Sequence, residues 1–125
     1  VSIDGATKET YEKLRLGGKW EKILEGLECM AEQKQKHGFR FILHFVVQKD
    51  NYHEMEKIVD LGEQYGADRV WLNKMEDWGT IDDFRTQDIF NHAHNEHTQY
   101  QTLLDNLKQR AKGNNLIEAP TLFKY

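Results

Sequence analysis

Polar side chains stand where each of three apolar stretches of the chain ends. Parallel α/β sheets bind ligands at the carboxyl ends of their strands, where loops converge and helix N-termini face inward. The residues that this rule places at a ligand site are Ser2, Asp4, Gln48, Asn51, Leu72 and Asn73. No G-x-G-x-x-G or Walker sequence indicates a phosphate site. These residues are therefore candidates for ligand binding on the strand-end rule alone.

Some of these residues also have a structural interpretation, and the sequence leaves both open. Asp4, followed by glycine, suits a turn in which the Asp side chain bonds its own backbone. Asn51 is a candidate helix N-cap, and Glu54 three positions later completes a capping-box-like pair. Gln48 and Asn73 are equally consistent with polar groups that terminate buried strands.

The histidines and the cysteine do not form a recognised metal motif. His92, His94 and His97 lie close together, but no carboxylate or cysteine completes a spacing such as H-E-x-x-H, so no metal ligand is assigned. His44, inside a predicted strand, is interpreted as a hydrogen-bonded core residue. Cys29 faces away from the apolar side of its helix and is predicted to be an inert surface thiol. A single cysteine excludes an internal disulfide and a cysteine-built cluster within this chain.

Hydrophobic periodicity predicts the helices that must position these residues. A short helix is expected to begin near Thr7, and apolar residues with a 3.6-residue period predict a longer one over about 18–36. A third helix follows Asn51 and stops around Gly66, and a fourth runs from near Asn95 to Ala111.

The strands are predicted between these helices. The chain opens on the strand-like stretch VSI, and FRFILHFVVQ (39–48) is almost continuously apolar, which is typical of a strand covered on both faces. ADRVWL (67–72) is a further strand with Trp71 predicted in the core, and NLIEAPTLF contains a last short one. Strands alternating with helices predict an α/β fold with a parallel sheet. One domain over 1–125 is the economical interpretation. Because the chain opens on a strand and without Met, we expect it to be a piece of a longer protein.

Composition excludes several classes of protein. Hydrophobic residues make up 38% and charged residues 30% of the 125, as in a globular domain rather than a disordered or fibrous one. No apolar run approaches the roughly 18 residues of a membrane span. The formal charge of −4 gives no electrostatic basis for non-specific nucleic-acid binding. The given N-terminus lacks the basic and apolar regions of a secretory signal. The single cysteine agrees with a cytoplasmic location, which is the expected one.

Four stretches, in this order, resemble the later half of a radical S-adenosylmethionine (radical SAM) enzyme. They are SIDGATKETYEKLR, FVVQKDNYHEM, GADRVWLNKMEDWGT and IFNHAHNEHTQYQTLL. Their order and spacing resemble the fourth, fifth and sixth strand–helix units of that family's partial (β/α)6 barrel, a TIM-like half barrel. The family's CxxxCxxC loop, which binds a four-iron–four-sulfur cluster, has no counterpart in this chain. The resemblance therefore implies the C-terminal portion of a barrel whose first half is absent.

The resemblance also implies roles for individual residues. Ser2 matches a ribose or carboxylate contact, Arg15 an arginine that pairs with the S-adenosylmethionine carboxylate, and Leu72 a backbone and apolar contact to adenine. Asn73, at the same strand end, is grouped with these cofactor-side residues. The substrate-side residues are then Asp4, Gln48, Asn51 and Trp78. Arg15 near a helix C-terminus has the alternative role of complementing the helix dipole. No catalytic residue is assigned.

The sequence leaves three hypotheses about function, of which the first follows from the resemblance. The intact parent would be an enzyme that uses S-adenosylmethionine and a four-iron–four-sulfur cluster on a peptide or sugar, while this chain alone holds neither cofactor and is inactive. The chain would form part of the cofactor and substrate wall, with the missing half of the barrel as its partner. The alternative is a stand-alone α/β module that binds a nucleotide or a partner protein. Unpaired sheet edges also predict self-association of an isolated half-barrel.

Overall fold

A computed structural model describes residues 1–76 and 88–123 of the chain. In chain order its elements are α1 (Lys8–Leu14), α2 (Trp20–His37), β1 (Ile42–Val47), a 3₁₀ turn (Tyr52–Glu54), α3 (Met55–Tyr65), β2 (Arg69–Lys74), α4 (His97–Ala111), β3 (Ile117–Glu118) and α5 (Pro120–Phe123). No helix in these two ranges is long and apolar enough to cross a membrane.

The ends of the helices follow local signals in the sequence. Thr7 caps α1, its hydroxyl oxygen accepting a hydrogen bond from the Thr10 N–H at 3.4 Å. Gly38 and Gly66 end α2 and α3 with φ of 72° and 73°, a left-handed conformation that glycine adopts without strain. These helices confirm the predicted ones to within a few residues. The predicted exposure of Cys29 on α2 is confirmed too.

The strands form a parallel sheet, which confirms the predicted α/β fold class. β1 pairs with β2 from Ile42↔Arg69 to Val47↔Lys74, and β2 pairs with β3. At the other side of β1 the opening stretch of the chain adds a parallel bridge, Ser2↔His44. The spatial order is therefore the opening stretch, β1, β2 and β3, the same as the order along the chain.

One face of this sheet is covered by helices. The side chains on the covered face are fully buried, and they include Ile3, Leu43, Phe45, Val70 and Leu72, each 0% exposed. Helix α3 lies so close that a Cβ built on Gly62 would be 2.4 Å from the Val70 Cγ2 atom. The hydrophobic core of the described residues thus lies between the sheet and the helices on this face.

The opposite face of the sheet is only partly buried, and two predictions about it are wrong. Along β1, buried residues alternate with half-buried ones, whereas the near-continuous apolar sequence predicted cover on both faces. Trp71, predicted in the core, is 37% exposed. Its position in register with His44 places it on this uncovered face. We call the side chains of Ile42, His44, Val46, Trp71 and Asn73, with Ser2 beside His44, the uncovered face.

One further local prediction is wrong. The Asn51 side chain makes no N-cap hydrogen bond, and α3 begins only at Met55 after the 3₁₀ turn. The last short strand predicted within NLIEAPTLF is confirmed at Ile117–Glu118, and the residues after it form α5. Pro120 is the first residue of α5, a position where its fixed φ and missing N–H favour a helix start.

Candidate functional site at the carboxyl ends of the strands

The parallel register brings the carboxyl ends of three neighbouring strands to one edge of the sheet. Asp4 follows the opening stretch, Gln48 follows β1, and Asn73 lies next to the last residue of β2. Asn51 binds both of the first two segments, because its amide donates to the Asp4 carbonyl at 3.0 Å and to the Val46 carbonyl at 2.8 Å. The structure therefore brings most of the residues expected at a ligand site to a common edge.

Asp4 and Arg15 form an ion pair at this edge. The Arg15 Nε atom lies 2.9 Å from the Asp4 Oδ2 atom. The other carboxylate oxygen, Oδ1, is buried and has no hydrogen-bond partner in the described part of the chain. The Asp4 side chain is 17% exposed and that of Arg15 is 44% exposed. A carboxylate with an unused acceptor thus lies beside a guanidinium that solvent or a ligand can reach.

Asn51 and Glu54 hold the loop that carries Asp4. Asn51 is 0% exposed and bonds main-chain groups only, since its Oδ1 atom also accepts from the Gln48 N–H at 2.8 Å. This bonding is a finding that the sequence did not predict, because the groups that Asn51 joins are far apart along the chain.

Glu54 completes this arrangement from the 3₁₀ turn. Its carboxylate accepts hydrogen bonds from the Ala6 N–H at 2.7 Å, the Thr7 hydroxyl at 2.7 Å and the Thr10 hydroxyl at 2.8 Å. Burial alone would raise the pKa of Glu54, but these bonds and nearby His53 hold the pKa below its usual range. Glu54 is therefore an ionised carboxylate in a site that is 2% exposed, and it positions the Asp4 loop rather than capping α3.

The remaining predicted residues lie in different surroundings. Ser2 is exposed on the uncovered face, and Gln48 is half-buried at the end of β1. The Leu72 side chain lies on the covered face within the core, so only its main chain can approach a ligand on the other face. Trp78 lies outside the described residues.

A shallow cavity opens on the uncovered face beside these strand ends. It has a volume of about 250 Å³ and is lined by His44, Val46, Asn73, Lys74, Met75 and Glu76. Within it the Asn73 Nδ2 atom lies 2.9 Å from the His44 Nε2 atom. Sequence reasoning interpreted His44 as a core residue. The alternation of side chains along a strand could have identified His44. It puts His44 on the same face as Val46, near the carboxyl end of the strand.

A second cavity, of about 270 Å³, lies between β2, α4 and α5 and contains two of the clustered histidines. The rings of His92 and His97 are 4.5 Å apart, and the His97 Nδ1–H donates to the Ile89 carbonyl at 2.8 Å. The His94 Nδ1 atom accepts from the Glu96 N–H at 3.0 Å. Among residues 1–76 and 88–123 no group of three His, Cys, Asp or Glu side chains is arranged to hold a metal ion.

Comparison with known proteins gives one informative similarity. The chain is 37% identical over 68 residues to an AdoMet-dependent heme synthase of Methanosarcina barkeri (strain Fusaro / DSM 804), where AdoMet is S-adenosylmethionine. The match covers 54% of this chain and 18% of that protein, so the chain spans only a small part of its relative. No family profile and no solved structure matches the chain. The similarity supports the radical SAM resemblance in general terms.

Proposed function

We propose that this chain is the C-terminal portion of the barrel of a radical SAM enzyme and forms part of its cofactor and substrate wall. Two independent lines support the proposal. The sequence is similar to that of a protein whose name states dependence on AdoMet. The α/β sheet is parallel, and its strand ends collect the polar residues expected to bind ligands. The single observation that carries the proposal is the Arg15–Asp4 pair at that edge.

Arg15 is suited to the carboxylate of S-adenosylmethionine. A guanidinium forms two parallel hydrogen bonds with a carboxylate, and Arg15 already binds one carboxylate, that of Asp4, through Nε. Ser2 and Asn73 lie on the uncovered face of the sheet and supply further hydrogen-bonding groups. Leu72 contributes its main chain. The residues assigned to the substrate side of the wall are Asp4, Gln48, Asn51 and Trp78. Asn51, which bonds main-chain groups only, acts there as a positioning residue.

The iron–sulfur cluster does not fit the residues of this chain. Cluster ligation requires several thiolates, and Cys29, the one cysteine, is exposed on α2. We infer that another part of the parent protein holds the cluster, and that the chain alone does not cleave S-adenosylmethionine. The preceding half of the barrel is then its partner, a peptide or sugar is the proposed substrate class, and the cytoplasm is the proposed compartment.

The first experiment tests the parent protein. The longer reading frame that contains this chain is expressed without oxygen and assayed for iron, sulfide and 5′-deoxyadenosine release after addition of reductant and S-adenosylmethionine. We expect a cluster and release of deoxyadenosine. A protein that binds no iron and releases no deoxyadenosine would contradict the proposal and favour a stand-alone α/β module that binds a nucleotide or a partner protein.

The second experiment tests Arg15 in that protein. Arg15→Lys keeps the charge but loses the planar fork, so the affinity for S-adenosylmethionine should fall about tenfold, equivalent to roughly one charge-assisted hydrogen bond. Arg40→Lys, an exposed position before β1, is the matched control and should leave the affinity unchanged. Equal affinities for the Arg15 variant and the wild type, measured by equilibrium dialysis, would remove Arg15 from the cofactor site.

A further inference from the structure

The Asn73 side chain belongs to a chain of hydrogen bonds that links β2 to α5. The Lys74 N–H donates to the Thr121 Oγ1 atom at 3.0 Å. The Thr121 hydroxyl donates in turn to the Asn73 Oδ1 atom at 3.3 Å. With the Asn73 carbonyl oxygen turned towards Thr121 in this way, its amide nitrogen faces the His44 ring, 2.9 Å from Nε2.

This orientation determines which nitrogen of His44 carries the proton. An amide NH₂ group only donates, so the Nε2 atom of His44 must accept. A neutral imidazole that accepts at Nε2 carries its single proton on Nδ1. The tautomer of His44 is thus set by a residue on the neighbouring strand, which is in turn held by Thr121 on α5.

The Nδ1–H group of His44 is available to a ligand. It has no hydrogen-bond partner among the described residues, and it is not among their buried unsatisfied atoms, so solvent reaches it. His44 lies between Ser2 and Trp71 in the cross-strand register, with its ring 5.5 Å from that of Trp71. The same residue lines the cavity of about 250 Å³ at the strand ends.

We propose that His44 is a further ligand-contacting residue of the uncovered face, which donates its Nδ1–H to a carbonyl or carboxylate oxygen of the bound substrate, and that Asn73 is the positioning residue that holds the required tautomer. The substrate contact rests on the proposed function, whereas the tautomer does not. With its proton on Nδ1, His44 selects for a ligand oxygen that accepts a hydrogen bond. A ligand group that itself donates would face the Nδ1–H group, and the two donors would have no acceptor between them.

The tautomer is tested by ¹⁵N NMR of the imidazole rings in the chain itself, at a concentration where sedimentation shows a monomer and with no cluster or S-adenosylmethionine present. The wild type should show His44 protonated at Nδ1. In Asn73→Asp a carboxylate faces Nε2 and the proton should move to Nε2. The control Asn106→Asp introduces the same charge at an exposed position on α4 and should leave the His44 signals unchanged. A wild-type ring protonated at Nε2 would overturn the proposal.

The donor role is tested with acetate as an oxygen-acceptor probe. Titration of the wild type with sodium acetate, against sodium chloride at equal ionic strength, should shift the His44 Nδ1 resonance, and Asn73→Asp should abolish the shift. His44→Asn, which keeps an N–H near the Nδ1 position, should retain acetate binding as seen in the Asn73 amide signals, while His44→Gln should lose it. An Nδ1 resonance that does not respond to acetate would overturn the ligand-contacting role, whatever the deoxyadenosine assay shows.

Discussion

At the scale of single residues, the buried carboxylate of Glu54 has a structural role outside the apolar core. A buried charge is costly unless hydrogen bonds compensate its lost hydration. Glu54 receives three such bonds, all from the segment that begins two residues after Asp4. Its ionised form therefore stabilises the loop that presents Asp4 and Arg15 at the strand ends.

We predict that Glu54→Gln lowers the free energy of unfolding by about 2 kcal/mol at neutral pH, because bonds to a charged acceptor become bonds to a neutral one. Since the pKa of Glu54 is lowered in the folded state, its contribution is complete above the ordinary Glu pKa of about 4.3 and is lost as the pH falls through the lower folded-state pKa. Urea unfolding between about pH 7 and pH 3 measures this.

The control for this prediction is Glu28→Gln, which removes a carboxylate at an exposed position of α2. The control should unfold like the wild type at each pH. The stability of the Glu54 variant should fall less steeply with acid than that of the wild type. If both variants lose stability in parallel with the wild type as the pH falls, Glu54 does not have the assigned role.

At the scale of elements, the contact between α3 and β2 depends on the absence of a side chain at Gly62. A Cβ there would lie 2.4 Å from the Val70 Cγ2 atom, while its next contacts, to Ala67 and Leu43, would be ordinary ones at 3.7 Å. The helix can therefore lie directly on the strand. This close approach buries the apolar face of α3 that the periodicity of Met55, Ile58 and Val59 predicted.

We predict that Gly62→Ala lowers the free energy of unfolding by about 1–3 kcal/mol through overpacking. In a Val70→Ala background the clash is absent, so the same substitution should be neutral or stabilising. Gly26→Ala, in α2 with no atom within 4 Å of the added Cβ, is the control and should stabilise by about 0.5–1 kcal/mol through helix propensity. Additive effects of the Gly62 and Val70 substitutions in a double-mutant cycle would show that the two positions do not interact.

At the scale of the whole molecule, the sheet has helices on one face and a partly exposed opposite face. Ile42, Val46 and Trp71 expose apolar surface there, and the opening stretch Val1–Ile3 lies at the edge of the sheet beside β1. Exposed apolar surface and an exposed strand edge both favour association with another chain. In the proposed parent, the missing half of the barrel would occupy this position.

We predict that the isolated chain self-associates through the uncovered face. Its sedimentation coefficient should rise with concentration, and Trp71→Lys should weaken the association because a charge on this face opposes contact. Leu16→Lys, at a residue that is 94% exposed in the turn after α1, removes a more exposed apolar side chain away from the sheet and should have no effect. A chain that remains monomeric at all concentrations would contradict the prediction.

The amino-acid sequence by itself determined the helices, the strands and their parallel order. Those features depend on local interactions, such as the Thr7 cap, the apolar period of α2 and the left-handed glycines at 38 and 66, and a local pattern can be recognised without the fold. The sequence also predicted a candidate ligand site at the strand ends, because any parallel sheet collects its carboxyl ends at one edge.

Only the tertiary structure decided which face of the sheet is covered and how the site residues bond to one another. The apolar stretch of β1 suits either face, and the packing of α3 against Val70 selects one of them. Asn51 binds the Asp4 carbonyl across 47 residues, and Asn73 reaches His44 across 29. Contacts at such separations exist only once the strands have paired, so no local pattern encodes them. Local patterns instead predicted a helix cap for Asn51 and a core position for His44, and both predictions were wrong.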